Sequence, residues 1–145
     1  MPGSLSDLYE KKVADKIFGA TDFTPPATLY FSLLTDSNTQ AQREAGTLTE
    51  MTTGSWTNYA RVAVTNNTTN FPNATGTTAA KSNANAIDWG TATVTGAQPT
   101  ATGVAVWDAS SAGNLVWVGP LDTNQTIANG NPVKFNASAF ALTVD

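Results

Sequence analysis

Residues 103–118 read GVAVWDASSAGNLVWV. Two apolar runs, Gly103 to Trp107 and Leu115 to Val118, flank Asp108-Ala109-Ser110-Ser111-Ala112-Gly113-Asn114. Short runs of β-branched and aromatic residues on both sides of a small, polar, Gly-containing link predict a β-hairpin. Asp108 then begins a turn, and Trp107 and Trp117 are expected to face each other across the hairpin.

The same grammar extends outward. Ala86 to Trp89 and Thr91 to Thr95 flank Gly90. Asn129-Gly130-Asn131 is the strongest tight-turn signal, joining a strand near Thr126-Ile127 to another at Pro132 to Phe135. Ala139 to Val144 closes the chain. Towards the N-terminus, Thr24-Pro25-Pro26 is a stiff extended lead-in. Thr28 to Leu34 follows as a strand with Leu29, Phe31 and Leu33 on one face. Tyr59 to Thr65 predicts a strand with Ala60, Val62 and Val64 facing one way, Tyr59 and Arg61 the other. Residues 36–54 read as a long loop, and 66–85 as mostly loop with one short strand. About eight short strands punctuated by turns make the chain mainly β, a β-sandwich or jelly roll. Without an internal repeat or a second composition regime, one domain over residues 1–145 is expected.

One segment departs from the period of two. Between Leu5 and Phe18 the apolar residues Leu5, Leu8, Tyr9, Val13, Ile17 and Phe18 fall at the 3.6-residue period of a helix. Ser4 or Ser6 supplies a cap, Asp7 and Glu10 suit the first turn, and Gly19 a C-terminal stop. This stripe is expected to dock on the β-body (about 24–145) or on a neighbouring subunit.

Composition removes whole function classes. The 145 residues include no histidine and no cysteine. That excludes disulfides, thiolate metal sites and the commonest general base. Charged residues are 12% of the chain, half the usual ~25%. The net charge is −4 and the seven basic residues are scattered, which argues against nucleic-acid binding. No apolar run approaches the ~20 residues of a membrane helix, and the opening lacks a signal-peptide layout, so cytoplasmic synthesis is expected. The eleven acids form no paired motif. Asp88, Asp108 and Asp122 read as strand and turn residues, and Gly113, Gly119 and Gly130 lie in hairpin-like surroundings and form no phosphate loop. No catalytic residue, cofactor or metal site is predicted. Trp56, Trp89, Trp107 and Trp117 allow two readings, a carbohydrate-stacking platform or core packing, and packing is the stronger. Arg61 reads as a solvated surface residue or as an ion-pair partner at a subunit contact. Trp56, Tyr59 and Arg61 are the candidate partner contacts.

Several stretches occur in an order similar to that of short tailed-bacteriophage virion proteins. They are Leu5-Ser6-Asp7-Leu8-Tyr9-Glu10, Pro25-Pro26-Ala27-Thr28-Leu29-Tyr30, Tyr59-Ala60-Arg61-Val62, Val106-Trp107-Asp108-Ala109 and Gly113-Asn114-Leu115. The chain resembles that family, whose members are capsid decoration (cement) or tail-fibre-like proteins. The resemblance implies a non-enzymatic homo-oligomer, a dimer or trimer. It would bind the major capsid protein on the outer capsid surface of the virion and stabilise the shell. The alternative it implies is a tail or tail-fibre module contacting host surface glycan.

Overall fold

The computed structural model describes residues 3–75 and 80–142. The closing residues of the strand expected over Ala139 to Val144 therefore lie outside the described residues. The chain is mainly β, with 38% strand against 14% helix.

The hairpin forms and organises the rest. β6 (Thr100–Trp107) and β7 (Leu115–Thr126) are both longer than the sequence runs suggest. They sit inside a five-stranded antiparallel sheet with β1 (Ser4–Leu5), β2 (Thr28–Leu34) and β3 (Val62–Thr65), in the order β1-β7-β6-β2-β3. Two two-stranded pairs complete the fold. β4 (Lys81–Ser82) pairs with β9 (Ala141–Leu142), and β5 (Ile87–Thr91) with β8 (Pro132–Phe135). The main core unites Phe31, Leu33, Val104, Val106 and Trp117 of the sheet with Ile87, Trp89 and Phe140 from the small pairs and their flanks. Two unequal layers share one apolar interior, a sandwich-like arrangement.

β2 matches its predicted bounds, and Phe31 and Leu33 enter the main core with Leu29 packed against it. Its other face is covered too: Leu34 joins Ala105, Trp107, Leu115 and Val118 in a second cluster. The two hairpin tryptophans separate accordingly. Val106 pairs with Trp117 while Trp107 pairs with Leu115, so β7 carries an extra residue at Val116. Because Trp117 is opposite Val106, strand alternation puts Trp107 on the other face, correcting the expected cross-strand Trp pair, and the bulge brings Leu115 onto the face of Trp107 in the second cluster. Trp117 lies along Gly119 and Gly3. A Cβ on either would come within 2.4 Å and 2.1 Å of its ring, so both glycines make room for the indole.

Three further expectations are corrected. Asn129-Gly130-Asn131 does turn, with Gly130 at φ 81° and Asn131 N–H donating to Ala128 O at 3.2 Å. It closes no hairpin, however, because β7 pairs with β6 and β8 with β5. Asp122 lies within β7 and begins no turn. Residues 36–54 contain a short helix, α2 (Gln40–Ala45). Thr39 and Gln42 form a reciprocal capping box, and Gly46 stops the helix at φ 67°. Thr39-Gln40-Ala41-Gln42 carried that signal in sequence, but six residues are too short for an apolar period.

The N-terminal helix is α1 (Asp7–Gly19), and the two residues before Ser6 belong to β1. Ser6 stands at the N-cap without a side-chain cap; its hydroxyl donates to Leu115 O and its N–H to Val116 O at 3.0 Å. The helix is thus anchored to β7 at its start. Ala20, not Gly19, adopts the left-handed stop at φ 53°.

Candidate functional site

All four tryptophans are buried, which decides between their two readings in favour of packing. Trp56 has no exposed surface and Trp117 has 2%. Trp56 pairs in a bridge with Val94, and its indole N–H donates to Asn58 Oδ1. Asn58 in turn holds the 91–93 segment, accepting from Thr93 N–H and donating to Thr91 O, both at 3.0 Å. Trp56 is therefore a core residue with no face for a partner.

Tyr59 also differs from expectation. β3 begins only at Val62, so Tyr59 is free of the strand alternation and turns into the main core beside Trp56, with ring centroids 5.4 Å apart. Its hydroxyl accepts from Leu33 N–H at 2.8 Å. Leu33 lies beyond the last β2–β3 pair, at Phe31 and Val62, so the phenol takes the place a strand carbonyl would fill. Met51 N–H, donating to Leu33 O at 2.8 Å, supplies the other half. Burial raises the Tyr59 phenol well above its ordinary pKa of 10.0.

Arg61 faces the other side of the sheet, as the sequence indicates, and it is largely buried rather than solvated, with its ion-pair partner in its own chain. Its Nη2 and Nε donate to the two Glu50 carboxylate oxygens at 2.5 and 3.0 Å, a bidentate pair. Its Nη1 donates to Ala109 O at 2.8 Å and Ala112 O at 2.9 Å, and the guanidinium lies 4.1 Å over the Trp107 ring. One side chain thus ties the segment before Trp56 to the tip of the β6–β7 hairpin. Asp108 locks that tip from inside, accepting from Asn114 N–H at 2.6 Å and Asn114 Nδ2 at 2.8 Å. Gly113, at φ 79°, is required there: a Cβ would lie 2.6 Å from Asp108 Oδ1.

The stripe of α1 divides. Tyr9 is buried, packs edge-on against Phe23 and has Lys12 Nζ 4.6 Å above its ring. Burial, with Asp108 nearby, raises its phenol pKa. Leu5 packs against the main core and Val13 is half-buried. Leu8, Ile17 and Phe18 are exposed, the last two by 66% and 90%. Docking on the β-body thus holds for the first turns only. The far end carries an apolar surface that its own chain leaves uncovered.

A cavity of about 320 Å³ opens at the opposite end of the sheet. Its origin is a break in β7. Gly103 pairs with Pro120, and the unbroken register would set Ala101 against Asp122; Ala101 pairs with Gln125 instead. The three extra residues bow outward, and the space beneath is walled by Leu33, Trp89, Leu121, Ile127, Val133 and Phe135.

Catalytic geometry does not emerge from these parts. Asp88 Oδ1 accepts from Gly90 N–H at 2.7 Å within β5, Asp108 serves the hairpin tip, and Asp122 lies exposed at the cavity rim. Among the described residues no three acids gather in a group that could hold a metal ion. No helix among them is long and apolar enough to cross a membrane.

Comparison with known proteins gives the family. The family described as Podophage GP4 fiber I protein gp80 matches residues 4–143. The chain belongs to that family. The match spans both layers of the fold, and it bears out the resemblance to tailed-phage virion structural proteins. Comparison with curated proteins finds no match.

Proposed function

We propose that this gp80-family chain is a non-enzymatic structural subunit of a podophage virion fibre. The observation that carries the reading is the family match over residues 4–143. The fold supports it physically. The four indoles lie in the cores and Arg61 is held by Glu50 and the hairpin tip, so these groups serve the chain's own packing. The uncovered apolar surface at the end of α1 suits a protein whose work is to be built into an assembly, as a homo-oligomer or against other virion proteins.

The fibre description shifts weight from the capsid surface to the tail, so major-capsid binding becomes the outcome to be tested against. Immunogold labelling of intact virions, with quantitation of copies per particle, makes the test. A fibre subunit labels appendages at or near the tail vertex, at a copy number well below that of the major capsid protein. Label spread evenly over the shell, at a fixed ratio to the major capsid protein, would return the assignment to capsid decoration. Peptidoglycan or polysaccharide cleavage by the purified protein would overturn the non-enzymatic reading.

A further inference from the structure

We infer that Asn129-Gly130 is a modification site, a point of spontaneous deamidation that the fold holds shut and that opens when residues 92–94 release it. Asn129 is the one asparagine of the chain that is followed by glycine. Glycine has no Cβ to shield its nitrogen, so this is the asparagine side chain most open to attack by the next backbone amide. Both residues are exposed, so water reaches them. Their protection rests on hydrogen bonds and not on burial.

The reaction needs no partner but water. The Gly130 nitrogen gives up its proton and bonds to Asn129 Cγ. The Cγ–Nδ2 bond breaks, and ammonia leaves with that proton, giving a cyclic imide. Water then opens the imide at either carbonyl, to aspartate or to its isoaspartyl isomer. In the folded chain both reacting groups are engaged. Gly130 N–H donates to Ala92 O at 2.8 Å, and Asn129 Oδ1 accepts from Val94 N–H at 3.0 Å. Ala92 N–H donates back to Asn131 O at 2.9 Å, which completes the clip. Attack requires the nitrogen to leave Ala92 O and the carboxamide to turn from Val94 towards it.

The clip is itself held from its other side. Asn58 accepts from Thr93 N–H and donates to Thr91 O, both at 3.0 Å, and Thr57 N–H donates to Thr93 O at 2.8 Å. Residues 91–94 are thus gripped twice, and their release is the local opening that exposes Gly130 N–H to reaction. The two products differ in what they allow. Aspartate still offers an oxygen to Val94 N–H. The isoaspartyl form routes the backbone through the side-chain carbon, one methylene longer, so the turn no longer fits its bonds to Ala92 O and Ala128 O. Ile127 and Val133, on either side of this turn, both wall the cavity, so the change loosens that wall. A copy that has reacted here is marked irreversibly, wherever in the virion it stands.

Peptide mapping by mass spectrometry, on the full chain incubated at mildly alkaline pH with and without denaturing urea, tests it. Conversion at Asn129 is expected to be at least about tenfold slower in the folded chain than in the unfolded one. The slowing should match the protection of the Gly130 amide against hydrogen exchange to within about threefold, because exchange and attack need the same release of that N–H. Asn58→Ala loosens the clip from its other side. It should speed conversion and Gly130 exchange together in the folded protein, and change neither in urea. Its melting curve shows whether it folds; if it does not, the wild-type comparison still decides. An Asn129 that stays intact in urea, or that converts in the folded chain at the unfolded rate, would overturn the inference. So would a slowing that departs from the amide protection by more than that margin, or a folded Asn58→Ala chain with unchanged conversion.

Discussion

The hairpin tip and the bowed end of β7 are two ends of one sheet, and they are finished differently. At the tip the charged side chains Arg61 and Asp108 both have partners within the chain. Arg61 spends four hydrogen bonds on Glu50, Ala109 and Ala112, and Asp108 closes the loop on Asn114. At the other end the register breaks by three residues, the polar side chains Asp122 and Lys134 stand in solvent, and an apolar cavity remains open. A satisfied end is cross-braced by its own polar contacts, whereas the cavity end lacks that bracing.

Mutations should respect that division. Trp56→Ala, in the packed interior, is expected to cost the most, about 3–5 kcal/mol, measured by denaturant unfolding. A near-neutral result would mean the indole is not part of the core. Arg61→Ala should cost about 3 kcal/mol, the low end for breaking a buried pair, since Glu50 keeps a fifth of its side-chain exposure. Arg61→Lys should recover little of it, because an ammonium cannot make the bidentate pair and reach both hairpin carbonyls at once. Equal stability of the Lys variant and wild type would show that charge alone matters there.

Tyr59→Phe keeps the ring and deletes the acceptor of Leu33 N–H, for an expected loss of about 1–3 kcal/mol. It also has a pH signature. The folded phenol titrates above its ordinary value because burial disfavours the phenolate. Its contribution is therefore complete below about pH 10 and falls away as pH rises past that point. The stability gap between wild type and Tyr59→Phe should narrow in that alkaline window; a gap constant through pH 11 would contradict the assigned cause.

The smallest effects belong to α1. Changing Leu8 or Ile17 to Ala should shift stability by no more than about 0.5 kcal/mol each, because both side chains already face solvent. A loss in the range of 2–5 kcal/mol, as a fully docked stripe demands, would show that the far half of the helix is covered in the folded protein.

Much of this was legible beforehand. β2 has its predicted bounds, the β6–β7 hairpin forms around its predicted loop, and α1 ends within a residue or two of its periodic stripe. Each rests on local information: side-chain period, turn-forming residues and stop signals act over a few positions. The fates of Trp56, Tyr59 and Arg61 were not legible, because their partners Val94, Leu33 and Glu50 are chosen by how separate segments meet. Asn83 makes the same point: buried, it donates to Asn85 O and Asn136 O and accepts from Phe140 N–H, a knot invisible in a stretch read as loop.

By itself, then, the sequence determined a mainly β chain with one N-terminal helix, the absence of histidine and cysteine chemistry, and a resemblance in motif order that the family match bears out. Tertiary structure alone decided which strands pair across the Asn129-Gly130-Asn131 turn, how the β6–β7 register parts the tryptophans and its three-residue break borders the cavity, and which half of the helical stripe stays uncovered. The physical reason is range. Periodicity and turn chemistry are written into neighbouring residues, but register across a sheet is a competition among distant segments, and a single inserted residue reverses which face every later side chain takes.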